Sequence, residues 1–355
     1  MSEKHVFMDI EPPGRPARDV IEHVDQEAVD DLSTAARAAR ALELATSALQ
    51  LAAAAQEASR YASLATSPAT WRTYQASWGS WARWARETAV PALPATGEHI
   101  ALYIAWRART RQPATIAGDL AAIAAAHRAH GHDDPTKDAA VKLVLRGIRR
   151  SRGVAQRRKT PLVVESMRSV LATLDDRPRG RRDRAMLLIC WAGALRRREL
   201  VSLDQGDIDV VPEGLAVRVV RSKTDQQGRG AVIGLPRHPD AAYDPVRAYC
   251  AWRECTGFDG GPVFRPINRH GGISLRRIGD REVARLVKRV ALAAGLQGDY
   301  SGHSLRAGFA TAAAAAGATE RAIMAQTRHR SLEVMRGYIR PASIWIENAA
   351  AVAAL

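Results

Sequence analysis

Trp71, Tyr74, Trp78, Trp81 and Ala85 recur at three- and four-residue steps, so the segment that carries them is helical with one aromatic face. This stripe constrains the fold most, because rings this large on one face need partner helices to cover them. It reads as core rather than as a stacking platform for bases, since such platforms sit on sheets or in open clefts. Further helices are expected at about 97–110, 113–130 and 135–150, opened by TGEH, QPAT and DPTKD. Residues 66–150 therefore form a compact helical unit.

The stretch RGIRRSRGVAQRRKTP, ending at Pro161, carries Arg146, Arg149, Arg150, Arg152, Arg157, Arg158 and Lys159 and no acid. Two glycines and a closing proline mark it as a join, placed at 151–160, between folded units. A basic join suits a phosphate backbone, because each contact releases counterions. Beyond it, residues 161–341 form a second domain, helical through Leu200. LAVRVVRSK and GRGAVIGLP then alternate around the polar turn TDQQ, which is a hairpin pattern. Helices return at about 243–256, 276–294, 304–316, 320–326 and 332–340. The fold class is mainly α, in two domains, with a small antiparallel sheet in the second.

The ends differ from this body. Residues 1–65 begin as an acidic leader and continue as an alanine-rich helix capped by Ser33 or Thr34, suited either to oligomerisation or to a passive extension. The tail 342–355 follows Pro341, which favours a break, and Ser343 is placed to cap a short helix carrying Ile344, Trp345 and Ile346. That apolar surface must pack, into a neighbouring protomer or on its own domain.

Charge points to the partner. The chain of 355 residues has a formal charge of +15, but residues 1–60 carry a net −5, so the remainder carries +20. Such a body binds polyanions. Cys190, Cys250 and Cys255 have no ligand-like spacing and read as reduced thiols. No apolar run approaches the roughly 20 residues that span a bilayer, and no signal peptide opens the chain. The expected location is cytoplasmic, with access to the nucleoid.

Four places carry candidate chemistry. GALRRREL sets Arg196 one turn from Glu199, which can orient it; SGHSLR sets His303 one turn from Arg306 at a helix start, where amides favour anions. Lys223 lies at the hairpin tip, and TRHRSLEVMRGYIRP carries His329 and Tyr338. Breaking a phosphodiester through a covalent intermediate needs a nucleophile, cations on the nonbridging oxygens and a proton donor for the leaving alcohol. Two guanidinium forks serve the oxygens at any physiological pH, lysine suits the donor, and a tyrosine hydroxyl persists as an ester. Neither a metal nor a nucleotide cofactor is required.

With these residues in hand, the chain resembles the tyrosine recombinase or phage integrase family across 161–341. GALRRREL is similar to its first arginine box, HSLR to its histidine–arginine box, and RHRSLEVMRGYIR to its histidine and nucleophile box. Residues 70–150 resemble its helical core-binding domain. The resemblance implies a site-specific DNA recombinase acting on double-stranded DNA through a 3′-phosphotyrosyl bond. Arg196 and Arg306 would clamp the scissile phosphate, and Lys223 would protonate the 5′ leaving oxygen. His303 would bind the phosphate and help move the tyrosine proton, His329 would donate to a nonbridging oxygen, Glu199 would buttress the pocket and Tyr338 would attack. A homotetramer on two DNA sites is implied, with a monomer or dimer when free, the C-terminal tail passing between protomers.

One departure is Arg328, where the family usually has glycine before the histidine. A left-handed backbone there would strain an arginine by roughly 1 kcal/mol. Either the loop differs in shape or Arg328 is another DNA contact. A type IB-like topoisomerase, a non-catalytic helix–turn–helix regulator and a metal-dependent nicking enzyme are the rival readings. The last rests on His130, His132 and Asp133, which fall in a glycine-containing loop without a strand to hold ligands.

Overall fold

The structure, a computed structural model, describes residues 34–64, 67–153, 159–220, 230–329 and 331–343. The chain divides into two compact units, Met1–Gln156 and Arg157–Leu355.

In the first unit, α1 (Thr34–Leu64) is the alanine-rich helix, and its described side chains, Leu42, Leu51 and Tyr61 among them, are exposed. The folded part is a bundle of α2 (Pro68–Glu87), α3 (Gly97–Ala108), α4 (Pro113–Ala129) and α5 (Ala139–Arg152). Ser67, Thr96 and Asp138 cap α2, α3 and α5 by accepting from backbone amides of their first turns. Helix α2 packs along α4, and α3 along α5. The aromatic stripe is core, shifted by one turn from its expected centre: Trp78, Trp81 and Trp84 are buried, the last two against Tyr103, whereas Trp71 and Tyr74 are only half-buried. The Trp81 indole donates to the Ala92 carbonyl at 3.0 Å, so its polar edge is satisfied in the core.

The basic stretch is not all linker. Helix α5 runs through Arg152, so Arg146, Arg149, Arg150 and Arg152 stand on a helix, exposed on its last turns. The helix carries Gly147 through, at a cost of roughly 1 kcal/mol against alanine, and ends at Gly153, whose φ is 70°. Lys159 pairs with Asp299 and is tied to its own unit. Arg157 and Arg158 lie outside the described residues.

The second unit is built around α7 (Pro178–Ala192), nine of whose fifteen residues are buried. Preceding it is α6 (Val164–Ala172); after it come the short α8 (Arg197–Ser202), then β1 (Ile208–Val211), β2 (Gly214–Val219) and β3 (Ala231–Pro236). The strands form an antiparallel sheet in the order β1-β2-β3, with Val217 opposite both Ile208 and Ile233. The expected hairpin is β2–β3. Strand β1 is an addition: IDVV is too short for alternation to identify it, and pairing with β2 defines it. Lys223 lies outside the described residues.

Helices α9 (Pro245–Thr256), α10 (Asp280–Ala293), α11 (Gly302–Ala315), α12 (Glu320–Thr327) and α13 (Leu332–Ser343) complete the unit. Helices α9 and α11 pack on α7, and α13 packs on α11. Gly308 lets α11 approach the backbone of Leu162: a Cβ there would stand 1.9 Å from the Leu162 carbonyl oxygen. The Leu162 amide donates to the Ser304 carbonyl at 2.9 Å, fixing the start of α11. Helix α13 continues through Pro341 to Ser343, contrary to the expected break. Proline imposes a helical φ on itself, and its missing N–H removes only one bond at a helix end. The expected cap position of Ser343 is thus inside α13, and residues 344–355 lie outside the described residues.

Candidate active site

The site begins at a tight turn. Ala194 adopts a positive φ of 44° after α7, and the chain then enters α8 at Arg196. The Glu199 carboxylate, 2% exposed, accepts from the Arg196 amide at 2.9 Å and from its guanidinium at 2.6 Å. The expected orienting role of the i+3 carboxylate is therefore present as geometry. Burial alone would raise the Glu199 carboxyl, but the Arg196 amide and the guanidiniums of Arg328 and Arg196 hold it below its ordinary value.

Helix α11 supplies the second arginine. Ser301 caps it by accepting from the His303 amide, and the Ser304 hydroxyl accepts from the Ser301 amide at 2.9 Å. Arg306 points inward, 2% exposed, and donates from Nη1 to the Ala194 carbonyl at 2.6 Å. Its Nη2 is buried without a hydrogen-bond partner. Burial, then the charges of Arg196 and Arg328, push its pKa down to about 10, which leaves it a cation at neutral pH. A buried, charged donor without an acceptor is a place for an anion.

Helices α12 and α13 bring the rest. Thr327 ends α12, Arg328 stands in the left-handed region at φ 54° and ψ 41°, and His329 follows. The left-handed position that the family gives to glycine is kept, so the loop is not reshaped. Arg328 turns inward, 11% exposed on its side chain, to pair with Glu199 at 2.7 Å and to donate to the Gln326 carbonyl at 3.0 Å. The buried carboxylate of Glu199 draws the side chain inward, beside the arginines of the pocket. Arg197 and Arg198 instead pair with Asp280.

Tyr338 of α13 lies between two imidazoles. His303 Nε2 is 2.6 Å from its Oη, and the His329 ring stacks on it at 5.6 Å between centroids with 15° between planes. Burial and the charges of Arg306 and Arg196 lower both histidines, His329 to about 4. Both are neutral at pH 7, so His303 has a lone pair to offer a proton. Thus Arg196, Glu199, His303, Arg306, His329 and Tyr338 converge from three stretches of the sequence. Sequence reasoning missed Thr327, which hydrogen-bonds the His329 ring, and Gln326, which donates to the Ala192 carbonyl at 2.8 Å and ties α12 to α7. Adjacency to His329 was the only signal for either.

Elsewhere, His130, His132 and Asp133 lie exposed in the loop after α4. Among the described residues no helix is long and apolar enough to cross a membrane.

Comparison with known proteins agrees with this geometry. Residues 162–343 match the phage integrase family. An integrase/recombinase XerD homolog of Selenomonas ruminantium is 37% identical over 261 residues, covering 72% of this chain and 76% of the relative. Tyrosine recombinase XerC of Syntrophus aciditrophicus is 32% identical over 164 residues, covering 45% of this chain and 49% of the relative. Among solved structures, a lambda integrase dimer bound to a COC′ core site shares the fold, with a TM-score of 0.53 at 17% identity over 77% of this chain and 72% of that one. XerH site-specific recombinase on a palindromic difH substrate gives 0.51 at 17% identity over 71% of each chain. The chain belongs to the phage integrase family of tyrosine recombinases, enzymes that cleave and rejoin DNA at specific sites through a 3′-phosphotyrosyl intermediate.

Proposed function

We propose that Tyr338 is the nucleophile of this recombinase and that Arg196 and Arg306 hold the scissile phosphate. The observation that carries this reading is the 2.6 Å approach of His303 Nε2 to Tyr338 Oη, beside an Arg306 whose buried Nη2 has no partner. In cleavage, the Tyr338 hydroxyl passes its proton to His303 Nε2 and its oxygen bonds to phosphorus. The bond from phosphorus to the 5′ oxygen breaks, and Lys223 supplies the proton that makes the leaving group a hydroxyl. The arginines favour the step because they act most strongly on charge that develops in the transition state. Glu199 positions Arg196, and His329 faces a nonbridging oxygen. Attack by a 5′ hydroxyl from a partner strand reverses the sequence and reseals DNA.

The substrate is double-stranded DNA carrying specific sites, engaged in the nucleoid-associated cytoplasm. The lambda integrase and XerH complexes on DNA support this, as does the basic body of the chain. The working assembly is a homotetramer on two sites, with residues 342–355 passing between protomers. A cleft of about 500 Å³ in the second unit, lined by Met167, Leu171, Leu188, Trp191 and Phe309, has the apolar character to receive such a tail. Residues 66–150 form the core-binding domain, and Arg146, Arg149, Arg150, Arg152, Arg157, Arg158 and Lys159 serve the DNA backbone. The test is mass spectrometry of the covalent complex formed on DNA from the chain's own genomic neighbourhood. An adduct on Tyr338 is expected; an adduct on any other residue overturns the assignment.

A further inference from the structure

Thr327 has one hydroxyl proton and two neighbours. Its Oγ1 lies 2.6 Å from the Ile323 carbonyl oxygen and 2.9 Å from His329 Nδ1. A carbonyl oxygen only accepts, so the hydroxyl proton points to Ile323 and the threonine oxygen accepts from the ring. Nδ1 therefore carries the hydrogen. Thr327 is 0% exposed, so no solvent is at hand to replace the Ile323 bond if the hydroxyl rotates.

The consequence lies at the other nitrogen. A neutral imidazole has one N–H, so His329 Nε2 is an unprotonated acceptor. Phosphate oxygens are acceptors too, and two lone pairs do not bond. Burial first, and then the groups around His329, keep the ring neutral. Arg306 and His303 face it from α11, Arg196 from the start of α8, and Arg328 from its own turn. The Tyr338 ring covers it from α13. Glu199 is engaged by Arg196 and Arg328, and Cys190 of α7 behind them is neutral, its thiol pushed up to about 12 by burial and by Glu199. A phosphodiester entering this ring of cations supplies the negative charge that a second proton on His329 needs.

We propose that Thr327 is a positioning residue that holds His329 in its Nδ1–H form, so that the scissile phosphate bonds to His329 only when the ring takes up a proton from solvent. The proposal rests on the assignment of Tyr338 and the arginine pocket above. It makes competence for cleavage depend on one proton taken up with the phosphate and released with it.

The test compares the wild type, Thr327→Ser and Thr327→Val in single-turnover formation of the covalent complex on a nicked duplex containing the mapped site, between pH 6 and about 9. The wild type and Thr327→Ser are expected to share an alkaline fall of one-proton slope. Valine preserves shape but removes the acceptor, which frees the neutral ring to place its hydrogen on Nε2. The ratio of the Thr327→Val rate to the wild-type rate is then expected to climb about tenfold per pH unit along that limb. In a His329→Ala background the valine change is expected to leave the profile as it was. Parallel profiles for wild type and Thr327→Val, with the adduct on Tyr338, overturn the proposal and leave the recombinase assignment standing. A wild type that forms no adduct on Tyr338 overturns both.

Discussion

Arg328 reaches Glu199 from a left-handed backbone, at φ 54° and ψ 41°, with Nη2 2.7 Å from the carboxylate. The contact links the turn before α13 to the first arginine box, 129 residues earlier. Arg328→Gly removes the backbone strain, worth roughly 1 kcal/mol, and also the ion pair. Arg328→Ala removes the same pair and keeps the strain. Glu199 retains Arg196 and an amide, so the cost stays below the roughly 3–5 kcal/mol of an orphaned buried charge. Urea unfolding is expected to rank wild type above Arg328→Gly, and glycine above alanine by about 1 kcal/mol. Equal stability of the two variants would show that the angle carries no strain.

Tyr338→Phe removes only a hydroxyl on the packed ring. Covalent complex formation is expected to vanish, with binding to the site changed by less than about twofold. Arg196→Ala is expected to slow cleavage by about 10²–10³, with a much smaller fall in affinity, because the charge it meets grows in the transition state. Gel shift and single-turnover cleavage separate the two quantities; equal falls would mean that Arg196 only places DNA.

The depressed pKa of His329 sets a pH dependence for the DNA-free protein. Its folded value is about 4, against about 6.5 unfolded, so between these the unfolded chain binds a proton that the native state refuses. The stabilising contribution is complete above about pH 6.5 and drains away as the pH falls toward 4. Melting temperatures of the wild type are expected to drop more between pH 7.5 and 5 than those of His329→Gln. Superimposable curves would place the titration elsewhere.

Helix α5 offers Arg146, Arg149 and Arg150 on exposed positions of its last turns. Replacing all three by alanine is expected to weaken binding to every DNA sequence alike. The salt dependence should become shallower by up to about 3, near one for each phosphate no longer neutralised. A change in site preference at unaltered salt slope would assign these arginines to base edges instead.

Much of this architecture was legible because helical periodicity and capping are local. The bundle helices and the β2–β3 hairpin follow from spacing within short windows, whereas the convergence of the arginine and histidine boxes was expected from the chemistry they share and from the family resemblance. The direction of the Arg328 side chain was not legible, since Glu199 is distant in sequence and only the tertiary fold brings the two together. Strand β1 was hidden for the same reason: four residues acquire strand character from a partner. Helix α5 ran past the expected boundary because arginine is a good helix former, and a run of charge says nothing by itself about backbone shape.

The lone Nη2 of Arg306 also bears on how this enzyme can change over time. Among the described residues of the pocket, Arg196 and Arg328 share the carboxylate of Glu199, while Arg306 bonds only a backbone carbonyl and its Nη2 goes unmatched. The domain therefore folds in spite of its arginine pocket, a local frustration that the α7 core and the close approach at Gly308 must outweigh. Substitutions that relieve the repulsion will toughen the scaffold and blunt the chemistry together. A lineage that ceased to recombine DNA would be free to shed these arginines first, and would gain stability by doing so.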